Sequence, residues 1–208
     1  MAPRRLQHVL GDCQRSLREC RVFAVNAHAW SLPSSSPHIS RKQRDWITEL
    51  AFLRAFLAFE SFLEESFILY SLGQRAPRGR APHRFTFPPS RKDATEWVKE
   101  GREYATWSAS SVSERAYRYF RGGGPFTNTL RASQSALDET IRNAIAHEST
   151  EAQQKFESLV RAKLGTLPPI LSIGSFLSTP IPLSAPPQSF LELYLDRIEL
   201  VATQIVQR

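Results

Sequence analysis

Two cysteines, one methionine and nine glycines in 208 residues leave little for several kinds of chemistry to work with. Cys13 and Cys20 are too few to close a zinc site by themselves. Their seven-residue spacing puts them on similar faces of one helix, so both read as reduced packing residues. Nowhere does the chain reach the roughly 20 uninterrupted apolar residues of a bilayer-spanning helix; its greasiest stretch, Ile47 to Leu72, is interrupted by Arg54, Glu60, Glu64 and Glu65. The start, Met1-Ala2-Pro3-Arg4-Arg5-Leu6, runs into Gln7, His8, Asp12 and Arg15 rather than into the apolar part of a signal peptide. No membrane association and a cytoplasmic location are therefore expected. Sustained β alternation and internal repeats are missing too, which points away from sheets and solenoids.

What is present is a chain with 41% hydrophobic and 23% charged residues and a mean hydropathy of -0.33. That composition fits one globular core, so residues 1–208 read as a single domain. The net charge of +7 and a pI near 9.8 suit a polyanionic partner, although basic proteins without nucleic-acid function share them. Apolar spacing predicts a first helix over residues 4–30 and a long second one over 41–72, stopped by Gly73. Shorter helices are expected over 93–104, 111–120, 133–148 and 153–164, and a terminal one over 189–206 that opens on the capping-box pair Ser189 and Glu192. Ser135 and Asp138 have similar spacing at the start of the 133–148 helix. Two long loops separate these pieces. One, 73–92, is rich in proline and arginine. The other, 168–188, has six prolines between Pro168 and Pro187, which forbid a regular helix, though 170–183 has room for a short extended piece. The fold class expected is all-α, a bundle of about five or six helices.

On the long helix, Trp46, Leu50, Leu53, Phe56, Leu57, Leu63 and Phe67 fall in one broad arc at 100° per residue, and Glu60 and Glu64 fall inside it. A carboxylate in a core needs a cationic or hydrogen-bonding partner; at the edge of a wider arc it needs only water. Later in the chain, Arg142-Asn143-Ala144-Ile145-Ala146-His147 combines two groups useful for cutting RNA without a metal. His147 can serve as general base or acid near neutral pH. Arg142 stays charged and can grip a phosphate. Asn143 and His147, four apart, share a helix face, whereas Arg142 and His147, five apart, lie about 140° apart around the axis. A two-fold homodimer that brings two such helices together would place both groups in one cleft. The plainer reading is a surface ion pair between Asp138 and Arg142 with an ordinary solvent-facing histidine.

In the basic loop, Arg75, Arg78, Arg80, Arg84, Arg91 and Lys92 can track an RNA backbone while Phe85 or Phe87 stacks on bases; the alternative is a solvated loop that aids solubility. Trp97, Trp107, Tyr117, Tyr119 and Phe120 are expected to pack. Arg121-Gly122-Gly123-Gly124 is a glycine turn and no phosphate-cradling loop, because no Gly-Lys-Ser/Thr follows.

The string from Leu137 to His147 resembles the signature of HEPN-domain proteins, an arginine, usually a polar neighbour, and a histidine four to six positions on. The long helix with Glu60 resembles the earlier HEPN helix that brings an acid towards the motif. Ala152 to Leu177, with Phe156, Leu159-Val160, Gly165, Pro168 and Gly174-Ser175-Phe176-Leu177, is similar to the downstream part of a bacterial branch that includes the RiboL-PSP and MAE-type families. The resemblance implies a HEPN-like helical homodimer that cleaves RNA with no metal or cofactor, leaving 2′,3′-cyclic phosphate and 5′-hydroxyl ends. It further implies a toxin or antiviral-defence role restrained by an antitoxin or regulatory protein. In that reading Arg142, Asn143, His147 and Glu60 form the catalytic set. The alternative is a non-catalytic protein- or nucleotide-binding module on the same fold.

Overall fold

The computed structural model describes residues 4–36, 38–77, 79, 81–133, 139–147, 149–182 and 184–207. Among them the chain is all-α: α1 (Leu6–Trp30), α2 (Arg41–Ser71), α3 (Arg91–Lys99), α4 (Ala109–Tyr119), α5 (Thr127–Ala132), α6 (Thr140–Ala146), α7 (Thr150–Leu164), α8 (Ile173–Ser178) and α9 (Phe190–Gln207), with one 3₁₀ turn at Arg121–Gly123. Isolated bridges join Arg84 to Phe120 and Pro180 to Ser189. No helix among the described residues is long and apolar enough to cross a membrane.

Among the described residues the helices number nine, more than the five or six expected for the bundle, chiefly because α5 and α8 form where no helix was expected. The clearest case is α8, within the proline-rich stretch. Its six residues sit in the proline-free interval between Pro169 and Pro180, and Ser172 and Ser175 close a full capping box at its start. The helix expected over 93–104 ends early, at Lys99, because Glu100 adopts a left-handed conformation (φ 55°) and Gly101 follows with φ 79°. Ser90 caps its first turn by accepting from the Asp93 N–H.

Two compact units make up the chain. The first comprises Met1–Arg15, Leu57–Leu137 and Arg197–Arg208. At its centre is Phe67, fully buried, with the rings of Tyr119, Phe120 and Phe126 each 5.2 Å away and that of Trp107 at 6.0 Å. Aromatic pairs of this kind contribute about 0.5–1.5 kcal/mol each beyond their burial. The Tyr70 hydroxyl donates to the Ile205 carbonyl at 2.8 Å, so its buried polar end is satisfied. Gly123 is held by Thr127: a Cβ there would meet Thr127 Oγ1 at 1.9 Å, and its φ of +76° suits glycine.

Cys13, in this unit, is 4% exposed, and burial, helped by Glu199, pushes its thiol up to about 12 from 9.0. A thiol raised this far keeps almost none of the reactive thiolate at pH 8. Alkylation of the native chain at pH 8, followed by mass spectrometry, should leave Cys13 unmodified on a timescale that labels it fully in denaturant. Rapid native labelling would show that this thiol is not packed as described.

Ser16–Phe56 and Asp138–Asp196 form the second unit. Its aromatic spine runs from Phe156 on α7 to Phe176 on α8 (5.7 Å) and on to Phe190 on α9 (4.5 Å, stacked), with Phe52 of α2 edge-on to Tyr194 at 5.7 Å. α8 is fastened by polar contacts as well. Ser172 Oγ donates to Asp45 Oδ2 at 2.8 Å, and the Gly174 N–H donates to Glu49 Oε1 at 2.8 Å. Arg44 completes the cluster by donating to Asp45 Oδ1 from Nη2 at 2.6 Å. Burial raises the Glu49 carboxyl above its usual range, Asp45 adds to this, and the Gly174 N–H opposes it.

In the same unit a groove of about 440 Å³ is lined by Ala24, Val25, Pro180, Leu191 and His28, among others. His28 Nε2 lies 3.0 Å from Ser178 Oγ. Burial lowers the His28 pKa below 6.5, with Arg44 reinforcing and Asp45 and Glu192 opposing. A depressed histidine favours the fold while neutral, so this contribution is complete above pH 6.5 and is lost as the pH falls below that value. Thermal melts should therefore show a larger drop between pH 7.5 and 5.5 for the native chain than for His28→Gln, which does not titrate. Identical slopes would remove His28 from the acid response.

Candidate active site

α6 is short and half-exposed. Ile141 and Ala144 are its buried residues, and it packs on α7 and α8, so the aromatic spine of the second unit also fixes the motif. The Asn143 N–H donates to the Glu139 carbonyl at 2.8 Å and the His147 N–H to the Asn143 carbonyl at 2.9 Å, which carries the helical hydrogen bonding through the motif. Ser135 and Asp138 lie outside the described residues, as does any ion pair between Asp138 and Arg142.

Instead of lying inside a long helix, His147 is the C-cap of α6, with φ -131° and ψ 114°. Ser149 then caps α7 by accepting from the Ala152 N–H. The imidazole is exposed. Arg142 and Asn143 are half-buried, and Arg142 Nη1 donates to Asn143 Oδ1 at 3.2 Å. The amide thus accepts from the guanidinium; the shared helix face expected for Asn143 and His147 does not form, because the extended cap residue turns the His147 side chain away from the helical direction that spacing assumes. A shallow cleft of about 400 Å³ beside α6 is lined by Thr140, Glu151, Gln154, Lys155, Ser158 and Leu159.

Glu60 belongs to the first unit and is half-buried on α2. Glu64, also half-buried, has its carboxyl raised by burial, then by Glu65, while Arg91 and Arg115 counteract. The apolar arc proposed for α2 is only partly buried. Phe56, Leu63 and Phe67 are enclosed, whereas Trp46 is 53%, Leu50 58% and Leu57 47% exposed. The buried side instead includes Asp45, Thr48, Phe52, Ala55, Phe59, Phe62 and Ser66. Apolar residues occur on almost every side of α2, so their period alone could not choose the face that packs.

Of the loop cations, Arg84 and Arg91 have partners in their own unit. Arg84 donates to the Ser71 carbonyl at 2.8 Å and lies over the Phe87 ring at 4.8 Å; Arg91 pairs with Glu65. Arg75 and Lys92 are exposed, and Arg78 and Arg80 lie outside the described residues. Trp97 and Tyr117, expected to pack, are 44% and 43% exposed. Trp97 shares α3 with buried Ala94 and Val98 but sits off that face, and Tyr117 serves as a platform for Arg131 at 5.2 Å.

Sequence reasoning missed the Asp45–Glu49–Ser172–Gly174 cluster. Its signal was present in two acids four apart near the start of a helix, which repel unless donors lie against them. Among the described residues no three His, Cys, Asp or Glu side chains gather as a metal site. No family model matches the chain, and no curated protein or solved structure matches it.

Proposed function

We propose that the chain is an endoribonuclease of the HEPN type that needs no metal, with Arg142, Asn143 and His147 as its chemical centre. The observation that carries this reading is that one short helix, α6, bears both an exposed imidazole at its C-cap and an arginine that donates to the neighbouring amide. In the reaction, the ribose 2′-hydroxyl gives its proton to a base and attacks phosphorus. The P–O5′ bond then breaks, and the departing 5′-oxygen takes a proton from an acid. His147 fills one of these roles, and Arg142 stabilises the phosphate charge in the transition state. The second proton-transfer group comes from His147 of another copy in a homodimer, for which the uncovered Trp46 and Leu50 offer apolar surface. Glu60 enters this scheme only through the resemblance to the HEPN acid. A toxin or defence role under an inhibitory partner follows from the same resemblance.

The purified chain, incubated with total RNA, should give 5′-hydroxyl ends that polynucleotide kinase labels directly, in the presence and absence of chelator. Cleavage that stops with chelator, or that leaves 5′-phosphates, would overturn the mechanism. A chain that cuts no RNA yet binds a partner protein through the same residues would favour the non-catalytic module.

A further inference from the structure

Residues 83–87 carry two aromatic rings to the surface that the proposed cleavage chemistry does not use. Phe85 is 55% and Phe87 64% exposed, although the segment bearing them is firmly mounted. The Phe85 N–H donates to the Tyr119 carbonyl at 2.9 Å and the Arg121 N–H to the His83 carbonyl at 2.8 Å, so the stretch is pinned to the end of α4. Arg84 lies over Phe87 at 4.8 Å, and the His83 ring meets Phe85 edge-on at 6.0 Å. Gly73 makes room for this arrangement. A Cβ there would touch Arg84 Nη2 at 2.8 Å and Cζ at 2.9 Å, and its φ is +87°.

Along the segment that bears these rings the charge has one sign: the stretch 73–92 contains six arginines and lysines and no acid. Arg75, Lys92 and Arg121 are exposed. Held aromatic faces in a cationic surround match a polynucleotide whose bases are free to stack, because every base has a flat face and every phosphate a charge. In a duplex those faces are covered by neighbouring pairs. A membrane surface would instead call for a broad apolar helix face, which two rings do not make.

We propose that residues 83–87 form a stacking platform for unpaired polynucleotide, with Phe85 and Phe87 each taking a base and Arg75, Lys92 and Arg121 contacting phosphates. Arg84 and Arg91 serve as positioning residues, since Ser71, Phe87 and Glu65 already engage them. The platform names the substrate class of the nuclease reading and rests on that reading only for the choice of RNA; binding itself requires no cleavage.

The test is fluorescence anisotropy with a labelled 16-nucleotide RNA, the same sequence as DNA, and an RNA duplex. His147→Ala is present in the full chain throughout, so the probe survives. Single strands should bind more tightly than the duplex. The Phe85→Ala/Phe87→Ala pair should weaken single-strand binding by about ten-fold or more without moving the melting temperature, and Phe85→Trp/Phe87→Trp, which keeps flat rings, should retain it. If the alanine pair fails to fold, leucine at both positions keeps apolar bulk, removes the flat rings and should give the same loss. RNA and DNA bound alike would mean that bases and phosphates are read without the 2′-hydroxyl, which supports the platform. Unchanged affinity in the folded alanine or leucine pair, or a duplex bound as tightly as the single strand, would overturn it. So would a chain that ignores all three probes but sediments with phosphatidylserine vesicles. Cleavage that fails while this binding stands removes the nuclease reading alone; cleavage that persists with binding unaffected by the ring substitutions removes the platform alone.

Discussion

Replacing His147 with alanine is expected to slow RNA cleavage by at least about 10²–10⁴-fold, the range for removal of one general acid or base, because a homodimer of the variant lacks both histidines. The residue is exposed and caps α6 through its backbone N–H, so alanine keeps the hydrogen bond that ends the helix and the melting temperature should barely move. Arg142→Ala should cost a similar factor. Arg142→Lys should recover only part of it, because an ammonium keeps the charge but loses the planar fork. Asn143→Ala should be milder, since Asn143 holds the guanidinium through one 3.2 Å hydrogen bond and does not touch the reacting atoms. Initial rates on a short single-stranded RNA give the comparison. Because the proposed cleft takes one histidine from each copy, adding excess His147→Ala chain to native chain should lower the native rate by forming mixed dimers with a single histidine; a native rate that ignores the added variant would remove the shared cleft. His147→Ala chains that cut at the native rate would sink the assignment.

The largest expected loss of stability comes from Gly174→Ala. A Cβ at that position would lie 2.2 Å from the Asp45 carbonyl oxygen and 2.5 Å from its carbon. Both are backbone atoms of α2, so no rotamer change relieves the clash. Overpacking usually costs about 1–3 kcal/mol. Here the displacement also pulls the Gly174 N–H from Glu49 and Ser172 from Asp45, bonds to charged groups worth about 1.5–3 kcal/mol each. A total above about 3 kcal/mol is expected from denaturant unfolding. Ser175→Ala, which removes only one arm of the α8 capping box, should cost about 1 kcal/mol. A Gly174→Ala chain as stable as the native one would mean that α8 does not dock on α2 as described.

The contrast between α8 and α9 shows which parts of the fold could be read in advance. α9 was readable because Leu191, Tyr194, Leu195, Ile198, Val201 and Ile205 repeat at helical intervals behind a Ser–Glu capping pair, and it runs from Phe190 to Gln207. α8 was not, because six prolines averaged over twenty residues hide an interval that contains none, and its cap uses serine where glutamate is the usual cue. α2 was legible as a helix and illegible as a surface, since tertiary packing chose among several apolar faces. At the motif, the four-residue spacing put Asn143 and His147 on one helix face, and the end of α6 at His147 undoes that geometry. An ideal helix continued through His147 predicts an Asn–His contact, whereas a helix that ends there frees the imidazole and leaves the amide to the arginine. Arg84 and Arg91 looked equivalent to Arg75 and Lys92 as charges; only the fold separates those bound to the protein from those facing water.

Both units are built from separated stretches of chain, three for the first and two for the second. The first takes in both termini, Met1–Arg15 and Arg197–Arg208, so any single crossover between residues 16 and 196 divides its core between the two products. Recombination, which trades contiguous blocks, finds no seam here. The same holds for expression of halves: the Arg142–His147 motif travels with its whole unit only on a segment that also carries residues 57–137, and Glu60 with its whole unit only on one that carries the second unit too. Length can vary more freely at 101–104, exposed between α3 and α4, than in the two long connections, which carry α8 and the pinned 83–87 stretch.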